Sequence, residues 1–371
     1  MERLIQDRRA LHAMPETGWQ ERQTAEYIRA RLSTLGCYWE PVAETGTIAF
    51  FDHGAGEAIA FRSDIDALPI AEATGLPFAS TNGCMHACGH DAHMAMLLAL
   101  ADHLAEHGAA YRKDILLIFQ PAEELIGCGG AKRICEAGIL ERFHVSKIFG
   151  LHVQPKMKAG AILVHAGALM AQAANLELIV QGKSAHCARP DLGIDALAAL
   201  ADLLSELNRY KREEIPVGME YILHLGIASG GEAGNIVCQS ARAAGNIRAF
   251  DPQFFDVLCK KVRDTAAAVD RRYGTVTEAR ISDAYPPVFN DPALAECCKA
   301  ALSAAGIEVL DVEKSMISED FSFYQQRVPG VFAFLGLGDV PSLHNDRFQF
   351  DEALMAEGVR AFTVLLERFA I

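Results

Sequence analysis

The ten residues Met85-His86-Ala87-Cys88-Gly89-His90-Asp91-Ala92-His93-Met94 hold three histidines, a cysteine and an aspartate, and an apolar-rich run follows from Ala95 to Leu104. Donors this dense point to a metal, yet no second CxxC or HxxxH pair lies nearby to close a structural zinc site. The missing ligands must come from other parts of the chain, and three stretches can supply them. Gln120-Pro121-Ala122-Glu123-Glu124 follows the apolar run Ile115–Phe119, which reads as a buried strand. The carboxylate pair is therefore expected at a strand's C-terminal edge, where α/β proteins place their sites. Gly150-Leu151-His152-Val153 and Ser342-Leu343-His344-Asn345 each set one histidine beside apolar residues. Cys88, His90, Glu124, His152 and His344 form the expected ligand set. Five protein ligands are too many for one catalytic zinc with an open position but suit two divalent ions that share a bridge, for which Cys88 is the candidate. Cysteine with histidine favours Zn²⁺ and admits Mn²⁺, Co²⁺ and Ni²⁺.

Adjacent residues leaving a strand point in different directions, so Glu124 can bind metal while Glu123 faces substrate as a general base. Asp66, in Asp64-Ile65-Asp66-Ala67-Leu68-Pro69, is expected just after another strand, where a carboxylate can hydrogen-bond a ligating imidazole and fix its tautomer. His86 and His93 flank the site in structural or supporting roles.

A chain of 371 residues with 51% hydrophobic content can build two domains. Its net charge of −14 argues against nucleic acid or an anionic membrane surface as partner. The charged start Met1–Arg9 has no apolar leader-like segment, and no uninterrupted apolar stretch is long enough to span a bilayer, so a soluble cytoplasmic protein is expected. Ten cysteines at irregular spacing do not read as a disulfide framework.

Residues 1–36 read as helical, closing at Gly36. Strand-like runs at 47–51, 58–61, 115–119 and 147–151 alternate with helical segments at about 92–107 and 130–137, which predicts an α/β sheet flanked by helices. From about Asn175 the order becomes strand 176–180, helix 193–208, strands 221–227 and 241–250, helix 252–272, strand 275–281. This βαββαβ series is the ferredoxin-like split arrangement. The α/β character then returns with a helix at about 292–305, a strand at 331–336 and a closing helix from Asp351. The expected organisation is one discontinuous catalytic domain, 1–174 with 285–371, carrying an inserted domain at 175–284.

The motifs Phe61-Arg-Ser-Asp-Ile-Asp-Ala-Leu-Pro69, His86-Ala-Cys-Gly-His-Asp91, Pro121-Ala-Glu-Glu124, Gly182-Lys-Ser-Ala-His186, Ser318-Glu-Asp-Phe321 and Leu343-His-Asn345 resemble, in order over nearly the whole chain, the M20 metallopeptidase superfamily. Within it they resemble the aminoacylase/amidohydrolase branch of hippurate hydrolases, N-acetyldiaminopimelate deacetylases and auxin-conjugate hydrolases. The resemblance implies a metal-dependent amidohydrolase that cleaves N-acyl-L-amino acids with a metal-activated water and Glu123 as base. It also implies that the inserted domain is a lid and dimerisation domain. His186 would stabilise the oxyanion, often in the partner subunit's site, and Arg248 with Asn235 would clamp the substrate carboxylate. Much of the superfamily has a metal-binding histidine where this chain has Asp64, and His90 compensates. Glu319 is a further supporting carboxylate. The chain departs from the pattern at Cys238, where a proline is usual, and in the bulkier loop Leu125–Gly130.

Other readings of the same residues are a dipeptidase or aminopeptidase, for which no acidic residue is assignable to a free α-amino group, and a non-catalytic metal- or ligand-binding protein, against which Glu123 speaks. A redox-sensing thiol protein built on Cys88 would bind no metal.

Overall fold

The computed structural model describes residues 1–371. The chain forms two compact units, Met1–Leu169 with Val288–Lys314 and Glu319–Ile371, and Met170–Pro287 with Ser315–Ser318. Set against the expected 175–284, the second unit reaches a few residues further at each end and takes in the short segment Ser315–Ser318.

In the first unit an eight-stranded mixed sheet runs in the order Tyr38–Val42, Gly46–Phe51, Asp114–Gln120, Ala58–Asp64, Val145–Gln154, Gly330–Gly336, Ile162–Leu163, Val309–Leu310. The four central strands are mutually parallel, and Ala58–Asp64, Asp114–Gln120 and Gly330–Gly336 are buried at every position. Parallel strands covered by helices on both faces need continuous apolar runs, which is why Ile115–Phe119 reads so clearly in the sequence. Asp64, Gln120 and His152 all lie at the C-terminal ends of this parallel set. The helix His90–His107 starts at the same edge and packs on the strands Ala58–Asp64 and Val145–Gln154 through a nearly all-buried first three turns.

The expectation of helix throughout residues 1–36 is corrected by the structure, which has helices Glu2–His12 and Arg22–Leu32 with a loop between them. Pro15 removes a backbone donor there, and the loop is claimed instead by tertiary pairing: Thr17 bridges Ala67, and Ala67 N donates to Glu16 O at 2.8 Å. The strand Tyr38–Val42, an edge strand made of Tyr-Trp-Glu-Pro-Val, gave no sequence signal because its alternation is broken by Pro41.

The first helix is tied to the start of the helix His90–His107 by a buried charged cluster. Asp91 Oδ2 accepts from Arg8 Nε at 3.0 Å and from His12 Nδ1 at 2.8 Å, and His12 Nε2 lies 3.1 Å from Glu72 Oε1. Arg8 Nη1 meets Glu352 Oε1 at 3.0 Å, and its guanidinium lies over the Phe350 ring.

The second unit has one antiparallel sheet in the order Val276–Ile281, Gln172–Gln181, Ser240–Ala249, Tyr221–Gly230. Its helices Ala196–Glu213 and Pro252–Tyr273 pack on each other and on the sheet, and bury one apolar stripe each against it. Asp195 and Asp251 cap them, accepting from Leu197 N and Gln253 N at 2.9 and 2.8 Å. In chain order the strands lie fourth, first, third, second, as the ferredoxin-like arrangement requires. No helix in the structure is long and apolar enough to cross a membrane.

Burial pulls the His12 pKa down, but the hydrogen bond and charge of Asp91 and the bond to Glu72 outweigh it, so the folded-state value is raised. A raised histidine contributes stability that is full below its unfolded-state value of about 6.5 and is lost as pH rises through the folded-state value. The stability difference between wild type and His12→Gln, read from urea midpoints at pH 6 and pH 9, is therefore expected to be larger at pH 6. Equal differences at both pH values would show that His12 is not charged in the fold.

Candidate active site

The five expected ligands converge. Cys88, His90 and His152 form one group, and Cys88, Glu124 and His344 a second, in which the potential ligand atoms all lie within 4.8 Å of one another. Cys88 Sγ is common to both.

His90 and His152 are each aimed by a hydrogen bond on the other ring nitrogen. His90 Nδ1 donates to Asp66 O at 2.8 Å, with Asp66 Oδ1 off its axis at 3.3 Å, and leaves Nε2 buried without a partner. His152 Nδ1 donates to Val153 O at 2.7 Å, which turns Nε2 to within 3.4 Å of Cys88 Sγ. His344 sits at φ +61°, a left-handed conformation that few residues with a Cβ adopt, and its N–H donates to Ala87 O at 2.9 Å. That bond returns the late segment to the Cys88 stretch. His344 Nε2 then lies 3.2 Å from Glu124 Oε1, close enough for the carboxylate to raise the His344 pKa, although Oε1 makes no directed hydrogen bond.

His93 is not a ligand. Its Nδ1 donates to Asp64 Oδ1 at 2.7 Å and its Nε2 accepts from Val153 N at 2.9 Å, which uses both nitrogens. Asp64 is equally committed, because Oδ2 accepts from Arg62 Nη1 at 2.8 Å. Burial pushes the Asp64 carboxyl up, but His90, His93 and Arg62 together hold it well below the usual carboxylate range. Asp66 meets His90 through its backbone carbonyl, and its carboxylate Oδ2 accepts from Glu124 N at 3.0 Å, so one residue orients His90 and anchors Glu124.

Glu123 is buried beside Glu319 and Asp320. Burial, then the charges of Glu319, Glu124, Asp320 and Asp66, push its carboxyl well above the usual range. The Cys88 thiol is likewise pushed up, by burial first and then by Glu124 and Glu123. Glu319 and Asp320 are not a third metal group. Arg62 Nη2 donates to both at 2.9 Å, Gln120 Nε2 to both oxygens of Asp320 at 2.7 and 2.8 Å, and Phe321 N to Glu319 at 3.0 Å. Arg62, Gln120 and Asp320 had no assigned part in the sequence reading. The signal for them is a charged pair inside the otherwise apolar strand Ala58–Asp64.

These residues fit two divalent cations. Unpartnered buried lone pairs on His90 Nε2 and Glu124 Oε1 need an electrophile, and a thiol with a carboxylate and three imidazoles is a donor set for Zn²⁺ and its neighbours.

The loop after the carboxylate pair turns back on itself, with Cys128 N donating to Leu125 O at 2.8 Å and Gly127 at φ +89°. Gly130 then passes so close to Pro121 that a Cβ there would lie 2.0 Å from Pro121 O. The other departure, Cys238, is buried, and its carbonyl caps Ala196 N at 2.9 Å.

His186, Asn235 and Arg248 belong to the second unit. His186 is exposed and its Nδ1 accepts from Ala188 N at 3.1 Å, a tautomer that leaves Nε2–H as a donor. It bridges Ile236, and Cys187 N donates to Asn235 O at 2.9 Å, so His186 and Asn235 are neighbours. Arg248 is half-buried, with its Nη1 donating to Met316 O at 2.7 Å. The sheet sets Asn235 and Arg248, the two residues expected to clamp the substrate carboxylate, apart along the chain. Asn235 lies in the loop ahead of the strand Ser240–Ala249 and Arg248 near its far end, about 27 Å along an antiparallel strand from Ser240.

A sheet whose parallel strands end on a cluster of potential metal-binding donors, beside the buried carboxylate of Glu123, defines a metal-dependent hydrolase of amide bonds. The chain belongs to peptidase family M20/M25/M40, whose model matches residues 60–368. It is 34% identical over 367 residues to the N-acetylcysteine deacetylase of Bacillus subtilis, covering 98% of this chain and 96% of that protein. It is 33% identical over 371 residues to the N-acetyldiaminopimelate deacetylase of Shouchella clausii, covering 99% and 98%. Among solved structures it is similar to a dinuclear metal-binding peptidase of the M20 family from Bacillus subtilis, with a TM-score of 0.84, 33% identity and coverage of 99% and 97%.

Gly89, between Cys88 and His90, has φ +85°, and a Cβ there would lie 2.4 Å from Val153 Cγ2. Gly89→Ala is expected to destabilise the protein by about 2–4 kcal/mol, the sum of left-handed strain and overpacking, and to lower its metal content. Thermal melts and metal analysis of the purified variant check this; a wild-type melting temperature with full metal would show that the segment can move aside.

Proposed function

We propose that this protein hydrolyses the amide bond of N-acyl-L-amino acids, releasing a carboxylic acid and a free amino acid. The observation that carries the reading is the convergence of Cys88, His90, Glu124, His152 and His344, with the buried Glu123 carboxylate beside them. The names of the deacetylases it resembles support an acyl amino acid as substrate. Cys88, His90, Glu124, His152 and His344 would hold two divalent ions, with Zn²⁺ or Mn²⁺ as the proposed metals. Bound there, the ions would depress the pKa of water and polarise the acyl carbonyl.

Glu123 takes the proton from the attacking water and hands it to the leaving nitrogen. Its carboxyl, hemmed in by Glu319, Asp320 and Asp66, is in a setting that favours holding a proton between those two events. Asp66 keeps His90 and Glu124 in place around it. His186 donates its Nε2–H to the developing oxyanion. Arg248 grips the substrate α-carboxylate in a charge-assisted fork.

The separation of Asn235 and His186 from Arg248 along one strand supports their serving different copies of the chain, and with it the proposal of a homodimer. The second unit's edge strand Tyr221–Gly230, mostly exposed beyond Leu223, is the proposed contact.

Glu123→Gln is expected to keep its metal while kcat falls by about 10²–10⁴-fold, the usual range for loss of a general base. Metal analysis and amine release from a panel of N-acetyl, N-benzoyl and dipeptide substrates test this, before and after chelation and restoration of single metals. Near-normal turnover would remove Glu123 from the mechanism, and dipeptide turnover alone would replace the acyl amino acid reading.

For Arg248→Ala, KM for N-acyl amino acids is expected to rise on the order of 10- to 100-fold, the worth of a charge-assisted pair, with little change for the matching acyl amide that lacks the carboxylate. An equal change for both substrates would end the clamp.

A further inference from the structure

Ala122, the residue ahead of Glu123, has φ +55°, in the left-handed region that an alanine rarely adopts. The chain leaves it little room to relax. A Cβ on Gly18 would lie 3.1 Å from Ala122 Cα, and one on Gly46 would lie 2.7 Å from Pro121 Cδ. The Ala122 amide, facing the protein interior, is taken up by Glu21. Glu21 Oε1 accepts from Ala122 N at 2.8 Å, and Oε2 accepts from Thr45 Oγ1 at 2.7 Å. The Glu21 side chain has no solvent exposure. Two residues on, Glu124 N is held by Asp66. The amides on either side of Glu123's own are thus each fixed by a buried carboxylate, and only Asp66 belongs to the metal cluster's surroundings.

We propose that Glu21 is a positioning residue for the Glu123 base: through the Ala122 amide it holds the left-handed turn that sets the direction of the Glu123 side chain. This rests on Glu123 being the base. Two features separate the role from generic packing. Each oxygen accepts from one donor, and one of those donors is the strained residue itself. No cation pairs with Glu21, so charge is not what the position requires. Burial pushes the Glu21 carboxyl up to about 7, against the pull of Thr45 and Ala122, so a neutral glutamine is close to what the site holds near neutral pH.

The test compares Glu21→Gln, which keeps the acceptor, with Glu21→Met, which keeps the shape and lacks it, and adds Ala122→Gly to the methionine variant. The readouts are kcat, KM, bound metal, and hydrogen–deuterium exchange at the Ala122 amide in metal-free protein. Glu21→Met is expected to lower kcat on the order of 10- to 100-fold, the cost of displacing a reacting group by about 1 Å, with KM nearly constant. Its metal content stays at the wild-type level and Ala122 exchanges faster. Glu21→Gln should restore both kcat and slow exchange. Ala122→Gly should recover most of the lost kcat in the methionine background, because glycine enters positive φ freely. Wild-type kcat or wild-type exchange in Glu21→Met overturns the proposal, as does a Glu21→Gln variant no better than methionine. If the methionine variant does not fold, Glu21→Asp, which withdraws the carboxylate by one methylene, replaces it with the same expectation. Glu123→Gln run in parallel separates the two readings: activity retained there removes the base, whereas the exchange data judge Glu21's hold on Ala122 alone.

Discussion

One guanidinium carries the charge balance beneath the site. Arg62 lies inside the parallel sheet and donates at 2.8–2.9 Å to Asp64 in its own strand, to Gln120 in the neighbouring strand, and to Glu319 and Asp320, some 257 residues further on. A cation so buried is tolerated only because carboxylates surround it, and those carboxylates are tolerated only because it is there. The consequences spread outward. Asp64, held anionic, fixes His93, and His93 fixes the Val153 amide beside the ligand His152. Asp320, tied to Gln120, also accepts from Ala131 N at 3.1 Å and so seats the helix that closes the loop after the glutamate pair. The ligand cluster is built on top of this arrangement and is tied to it through His90, whose charge helps hold Asp64 anionic.

The ligands are held by the opposite principle. Where Arg62 is saturated with partners, His90 Nε2 and Glu124 Oε1 are deprived of them. A folded protein seldom leaves such atoms bare, and here the imidazoles are fixed from behind by backbone carbonyls so that their free nitrogens cannot turn away. The site therefore carries a standing cost in the metal-free chain that binding of divalent cations would remove.

Much of this was legible in the sequence, for an identifiable reason. Cys88, His90, Glu124, His152 and His344 stood out because soft donors are scarce at strand ends and dense here, and the sheet's parallel core wrote itself in unbroken apolar runs. Asp66 was readable from its place after a strand. Less visible were residues whose part depends on what meets them in space. Arg62 lay within a quoted motif but had no role without sight of Glu319 and Asp320, some 257 residues on. Glu21 looks like any charged residue ahead of a helix until its carboxylate is found against Ala122. The break at Pro15 was missed because helical periodicity on either side outweighed one proline, and the pairing of Thr17 with Ala67 that decides the matter is long-range. Sequence spacing also says nothing about which end of a strand a residue occupies, and the structure sets Asn235 ahead of the strand Ser240–Ala249 and Arg248 near its far end.

The pinch of Gly130 against Pro121 has a bearing on how such an enzyme can change. It closes the segment Pro121–Gly130 at its neck, so Glu123 and Glu124 share one small ring with the loop Leu125–Gly129. A change of length or bulk in that loop reaches the two carboxylates through the chain itself, and Leu125 also crowds Gly18, the same glycine that packs on Ala122. Lineages descended from such a chain can vary the loop only together with the turn that aims the carboxylates, so its shape and the chemistry are expected to change in step.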